Sequence, residues 1–412
     1  MPKPCPLLAA ALILSAAPAL AQPTLPASIA DLILEGTQPG GSFGTYIAAA
    51  GDADGDGYDD VLIGFPEGRL TLHRGSASGL STTPAWTLEG SGAFPVGDVN
   101  GDGFDDVLVS DTTGHQLRLF TGSAAGHSST AWVRDGGAAG GGDVNGDGLS
   151  DVAILNRFVI EIFHGSATGL GQTPSTSVQS GGNSILDDLA LADVSGDGFA
   201  DLAFTSRKCV KGCIALMGRL SVHLGSAEGV QTRVKRTIDF SDGEVLPFVT
   251  SAGDMDGDGF GDLAVTLIGD LASGCGACRD EVLLFSGSRS GIRSQYTLLF
   301  QRAGHSLEPE QVRGGGDING DGLADLLVPE GNEFVSGALD LMIFAGSAAG
   351  VSAVPSTVIE ADQQDDGFPT WPSGVGDVNG DGLADIIAGA PEFESGGVRL
   401  GRVYVFHGRP SF

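Results

Sequence analysis

The chain has 412 residues, 67 of them Gly and 41% hydrophobic, so it can bury a sizeable core and is neither disordered nor collagen-like. Against 21 Lys and Arg stand 52 Asp and Glu, a net charge of −31. That charge repels phosphate, which argues against nucleic acid and anionic membranes as partners and for cations.

The chain opens as an export signal. Lys3 is followed by an apolar run over 7–14 and by Ala19-Leu20-Ala21 before Gln22, a small-x-small cleavage pattern. The expected division is a signal over 1–21, a short linker over 22–28 and one repeat domain over 29–412. Neither the apolar run nor any later stretch is long enough to span a bilayer. The mature chain is therefore expected to be secreted, periplasmic or at the cell surface. Cys5 lies in the signal, with no lipobox around it. The other four cysteines are Cys209, Cys213, Cys275 and Cys278. An even count in an exported chain suggests disulfides, and the short spacings favour Cys209–Cys213 with Cys275–Cys278. A cross-link between the two segments, such as Cys213 to Cys275, is the alternative. The spacings also suit zinc, which an oxidising compartment disfavours.

From residue 52 onward one line recurs seven times, at intervals of 45 to 63 residues. Its first copy reads Asp52-Ala-Asp54-Gly-Asp56-Gly-Tyr58-Asp-Asp60. Position 1 is Asp throughout: Asp52, Asp98, Asp143, Asp193, Asp254, Asp317 and Asp377. So is position 5: Asp56, Asp102, Asp147, Asp197, Asp258, Asp321 and Asp381. So is position 9: Asp60, Asp106, Asp151, Asp201, Asp262, Asp325 and Asp385. Position 3 varies. It is Asp54 and Asp256 in loops one and five, Asn100, Asn145, Asn319 and Asn379 in loops two, three, six and seven, and Ser195 in loop four. Position 7 is apolar or aromatic: Tyr58, Phe104, Leu149, Phe199, Phe260, Leu323 and Leu383.

Each copy is followed by a short apolar run, then an alternating segment that in most units ends in Gly-Ser, then a fourth segment such as Ala85 to Gly90. These runs are rich in Val, Leu, Ile and Phe and bounded by Gly and Asp, so they read as strands. Four strands per unit at this spacing is the pattern of propeller blades. The chain ends on the third strand of unit seven, Arg402 to Gly408, while Ile29 to Gly36 resembles a fourth-strand segment. The N-terminus is therefore expected to supply the missing strand. The fold class is all-β, a seven-bladed β-propeller of four-stranded antiparallel blades, closed by its N-terminal strand.

The Asp loops suit calcium, a hard cation that takes about six to eight oxygens. Positions 1, 3, 5 and 9 offer side-chain oxygens and position 7 a backbone carbonyl, while its side chain is free to bury. Glycines at positions 4 and 6 let the chain curl. About seven Ca2+ ions are expected, with loop four the weakest because Ser195 is the poorest ligand. These are not EF-hands: the twelfth position of loop one is Ile63.

With these residues in place, the chain resembles the FG-GAP repeats of the integrin α-subunit head, a seven-bladed β-propeller. The resemblance covers about residues 29–408. Phe43-Gly44, Gly389-Ala-Pro391 and Gly64-Phe-Pro66 carry the flanking signatures, in the manner of a divergent bacterial-type member. It implies a ligand-carrying face opposite the calcium hairpins.

Catalytic motifs lack support. Gly40-Gly-Ser42-Phe-Gly44 matches a nucleophile elbow, but no helix pattern follows it. His73, His164, His223 and His407 recur near the end of the third strand, a repeat position rather than a cluster. Units four to seven are enlarged, at Thr205 to Met217, Leu267 to Asp280, Pro329 to Ala338 and Ala390 to Gly401 and at the connections between blades. The expected function is a monomeric, non-enzymatic binding or adhesion module for protein or glycan ligands. The alternatives are an extracellular polysaccharide lyase or hydrolase, or a structural surface component.

Overall fold

The computed structural model describes residues 23–180, 184–210, 215–240, 245–269, 279–303, 311–330 and 340–412. They form seven four-stranded antiparallel sheets, the seven expected blades. Blade 1 consists of Tyr46–Gly51, Asp60–Phe65, Arg69–His73 and Trp86–Glu89, paired in that order. The first strands of blades 2 to 7 start at Gly92, Ala138, Ser184, Val245, Arg313 and Thr370. Each first strand packs on the next, and that of blade 7 returns to that of blade 1.

The sequence pattern follows from this ring. Second strands lie between two blades and bury both faces, so they are apolar throughout, as at Val61, Leu62 and Ile63. First strands crowd around the axis and use small residues. A Cβ on Gly141 would lie 2.4 Å from the Val96 carbonyl oxygen of the preceding blade. Seven hydrophobic clusters fill the seven interfaces between neighbouring blades.

Closure is as expected. Leu32–Glu35 pairs antiparallel with Arg402–Phe406 of blade 7, with Leu32 opposite Val405 and Glu35 opposite Arg402. Arg402 also forms an ion pair with Glu35 at 3.0 Å, and the His407 N–H donates to Asp31.

Three features differ from the sequence reading. Thr24–Pro26, within the stretch read as a linker, adds a fifth, parallel strand to blade 6 beside Thr357–Glu360. A 3-10 turn over Ala27–Ile29 then carries the chain across to blade 7, with Ala27 fully buried. Three residues held by backbone pairing have no side-chain period to read. The segment Thr205 to Met217 is also less a loop than a continued hairpin, paired from Thr205 opposite Leu220 to Val210 opposite Ala215. In Ala390 to Gly401 a small hairpin joins Glu394–Ser395 to Val398–Arg399.

Cys209 lies on that continued hairpin, opposite Leu216. Cys213, Cys275, Cys278 and the signal segment 1–21 lie outside the described residues, and with them the disulfide pairings. Among the described residues no helix is long and apolar enough to cross a membrane.

Candidate metal centres

The seven Asp loops join first to second strands and emerge on one face. The connections from second to third strand and from blade to blade emerge on the opposite face.

Each loop is wound around its first Asp. One oxygen of Asp52 accepts the Gly55 and Asp56 N–H groups at 2.7 and 3.0 Å, and the other accepts Gly57 at 2.9 Å. The position 6 N–H reaches the position 1 carboxylate in all seven loops. The position 5 carboxylate accepts the position 7 N–H in the same way, as from Tyr58 to Asp56 at 3.1 Å. The glycines at positions 4 and 6 hold positive φ, 75° at Gly55 and 89° at Gly57.

Position 9 has two tasks. Its carboxylate is buried, and one oxygen accepts the N–H of the glycine just past the third strand, as from Gly75 to Asp60 at 2.9 Å. The same bond recurs from Gly122, Gly165, Gly225, Gly287, Gly346 and Gly408. The second oxygen accepts the position 2 N–H in loops two, three, five, six and seven. In loop four Ser195 N–H takes that place. Burial pushes Asp60, Asp106, Asp201 and Asp262 up to about 7, with the backbone donors pulling the other way. The same causes bring Asp151, Asp325 and Asp385 to about 6. A carboxylate held this way is disfavoured as an anion until a positive charge arrives.

The residues fit a hard cation. Three carboxylate oxygens, one each from Asp52, Asp54 and Asp56, lie within 4.8 Å of one another, as do those of Asp254, Asp256 and Asp262. In loop one, Asp54 Oδ1 and Asp60 Oδ2 are buried without a hydrogen-bond partner. All donors are oxygens, the set that calcium takes and that softer metals do not require.

Two features were not read from the sequence. The loops are joined into a closed ring. The position 8 N–H donates to the position 1 carbonyl of the preceding loop, from Asp105 to Asp52 at 3.1 Å and, closing the circle, from Asp59 to Asp377 at 3.2 Å. The position 7 side chain, expected to bury, lies half-buried over the neighbouring loop. A Cβ on Gly55 would lie 2.6 Å from the Phe104 ring, and one on Gly380 2.5 Å from Tyr58. Position 7 is apolar in every copy for that reason, a signal whose meaning depends on the next blade.

Ser42, His73 and His223 sit in structural settings. Ser42 is buried with φ 42° and leads into the strand Tyr46–Gly51, not a helix. His73 and His223 bond the Ser81 and Gln231 carbonyls through Nδ1 at 2.8 Å, the same contact in two blades.

Comparison with known proteins agrees. The FG-GAP-like repeat family matches residues 52–109 and 143–204, and the FG-GAP repeat family matches residues 368–406. A stretch of 64 residues is 39% identical to integrin alpha-8 of Homo sapiens, covering 14% of this chain and 6% of that protein. A stretch of 67 residues is 37% identical to integrin alpha-8 of Gallus gallus, covering 15% of this chain and 6% of that protein. The match thus spans a small part of these much longer relatives. Taken with seven Asp loops on seven closed blades, these matches show FG-GAP repeats in blades 1 to 2, 3 to 4 and 7, and a local likeness to integrin alpha-8.

Proposed function

We propose that this chain is an exported, calcium-stabilised propeller that acts as a binding module. Its ligand, a protein or a glycan, sits on the face opposite the Asp loops. The observation that carries the calcium reading is the pair of buried, unpartnered oxygens on Asp54 and Asp60, within a loop that gathers oxygens of Asp52, Asp54 and Asp56 within 4.8 Å of one another. Positions 1, 3, 5 and 9 would hold each ion with the position 7 carbonyl, and about seven ions would bind. Each ion would neutralise three or four carboxylates that repel one another in its absence. The reading of the ligand face rests on the enlarged connections of blades 4 to 7. Loops grown on a rigid scaffold are where recognition concentrates. No residue set in the described blades nominates acyl, phosphoryl or hydride chemistry, so a non-catalytic role fits best.

The experiment is calcium titration of the mature chain with metal content and melting followed together. A site filled at a hundred times its Kd stabilises by about 2.7 kcal/mol, so excess chelator should lower the Tm by on the order of ten degrees or more. A melting curve indifferent to chelator would remove the calcium reading. Glycan and protein arrays, probed with and without calcium, then test the ligand face.

A further inference from the structure

At the four positions whose side chains would face the ion, loops one and five carry one more carboxylate than the rest; the position 8 carboxylates Asp59 and Asp105 instead accept the Asp377 and Asp52 N–H groups of the preceding loops. Counting positions 1, 3, 5 and 9, they hold four, because position 3 is Asp54 or Asp256, whereas the Asn and Ser loops hold three. Among the described residues, the ion pairs made at these positions fall on the same two loops. Arg74 Nε lies 2.8 Å from Asp54 Oδ2, and Arg293 Nη2 lies 2.8 Å from Asp258 Oδ2.

The repeat does not demand either arginine. Arg74 directly precedes Gly75 at the end of a third strand, where the other blades have Thr121, His164, Leu224, Ser286, Ala345 and His407. Arg293 comes from the connection after that point, two residues beyond Gly291, where blade 1 has Ser81 and blade 4 has Gln231. Two different places in the blade thus deliver one positive charge to each of the two loops with a surplus negative one.

We infer that Arg74 and Arg293 are charge-balancing residues, which bring positions 1, 3, 5 and 9 of loops one and five to the same net charge of −3 as those positions of the other five and so set the cation affinity of those two sites. The inference rests on the calcium reading above. In the cation-free chain the arginine relieves repulsion among four carboxylates. In the cation-bound chain it places a positive charge close to a dication and weakens binding. The geometry at Arg74 permits both. It takes Asp54 Oδ2, while Asp54 Oδ1 stays buried and unpartnered for the ion. The Arg74 guanidinium is itself held 4.6 Å over the Trp86 ring, so its position does not depend on Asp54 alone. At loop five, Arg293 is on Asp258 Oδ2 while Oδ1 already accepts the Phe260 N–H, so there the arginine and an incoming ion share one oxygen.

Loop one can be read separately. Tyr58 is the one tyrosine at position 7, and Trp86 lies beside Arg74. Terbium(III), an oxygen-seeking calcium substitute, gives luminescence when excited through such rings, and calcium displaces it. An Asp52→Ala variant defines the loop one share of the signal, since Tyr58 also lies over Gly380 of loop seven. In the full mature chain, Arg74→Ala should tighten calcium at loop one about tenfold, and Asp54→Asn should weaken it by a similar factor. The double variant, again at −3, should return close to the wild-type affinity. Arg74→Lys keeps the charge and should keep the affinity, and it serves if Arg74→Ala folds poorly. In chelator, Arg74→Ala should melt below the wild type.

An Arg74→Ala affinity equal to or weaker than the wild type would overturn the inference, making Arg74 a prop for Asp54 instead. A double variant as weak as Asp54→Asn alone would do the same. Absence of terbium and calcium binding by the wild-type chain would instead remove the calcium reading, and the inference with it.

Discussion

The N-terminal strand offers a sharp test of how the ring closes, because neighbouring residues on it face opposite ways. Leu34 is 5% exposed and sits in the blade 7 to blade 1 cluster with Phe43, Ile387, Val403 and Val405. Ile33, one residue earlier, is 37% exposed. Leu34→Ala removes buried methyl groups from a packed site, at a cost of about 2–5 kcal/mol. Ile33→Ala truncates a largely solvated side chain, and its cost should stay near or below about 1 kcal/mol. Thermal or urea unfolding in saturating calcium measures both. Leu88→Ala provides the internal control, because Leu88 opposes Leu70 in blade 1 as Leu34 opposes Val403 in blade 7. If the N-terminal strand is as integral to blade 7 as Trp86–Glu89 is to blade 1, the two leucine variants should lose similar stability. Equal losses at Ile33 and Leu34 would refute the register. A variant lacking residues 22–36 is the complementary test. It uncovers the Arg402–Phe406 strand edge and should aggregate or dimerise, as unpaired edges do. If it stayed monomeric and melted like the full mature chain, the ring would close elsewhere.

Two further outcomes follow from the geometry. Gly55→Ala should destabilise more than Gly57→Ala. Both positions hold positive φ, costing about 1–2 kcal/mol for a residue with a Cβ, but only the Gly55 Cβ would meet the Phe104 ring, whereas that of Gly57 has open space. Equal losses in unfolding experiments would mean that loop two does not cover loop one. His127 packs edge-on against Trp86, and burial pushes its pKa down to about 4. Its folded value lies below its unfolded one of about 6.5, so its contribution is intact above about pH 6.5 and is lost as pH falls toward 4, by up to about 2–3 kcal/mol. His127→Phe should therefore flatten the acid side of the Tm profile relative to the wild type, and a parallel profile would show that His127 titrates normally.

Much of this protein is legible in one dimension because the blade is a repeating local unit. Seven Asp loops, each between an inner strand of small residues and an apolar second strand, specify the blade count. The N-terminal segment that resembles a fourth strand specifies how the ring closes. The curl of each loop is likewise local: Asp52 binds N–H groups no more than five residues away, and glycine is needed where φ turns positive. The neighbour-to-neighbour relations were not legible. That Asp60 ties its loop to Gly75, that Phe104 covers Gly55, and that Asp59 closes the ring onto Asp377 depend on which strands lie side by side, not on spacing along the chain. The parallel strand at Thr24–Pro26 lay hidden because only backbone pairing places it. Arg74 and Arg293 occupy repeat positions that hold no arginine or lysine in the other blades, and only the folded blade brings each guanidinium to a carboxylate of its own loop. Local geometry is written in residue type and interval, whereas charge and contact across blades belong to the packed ring.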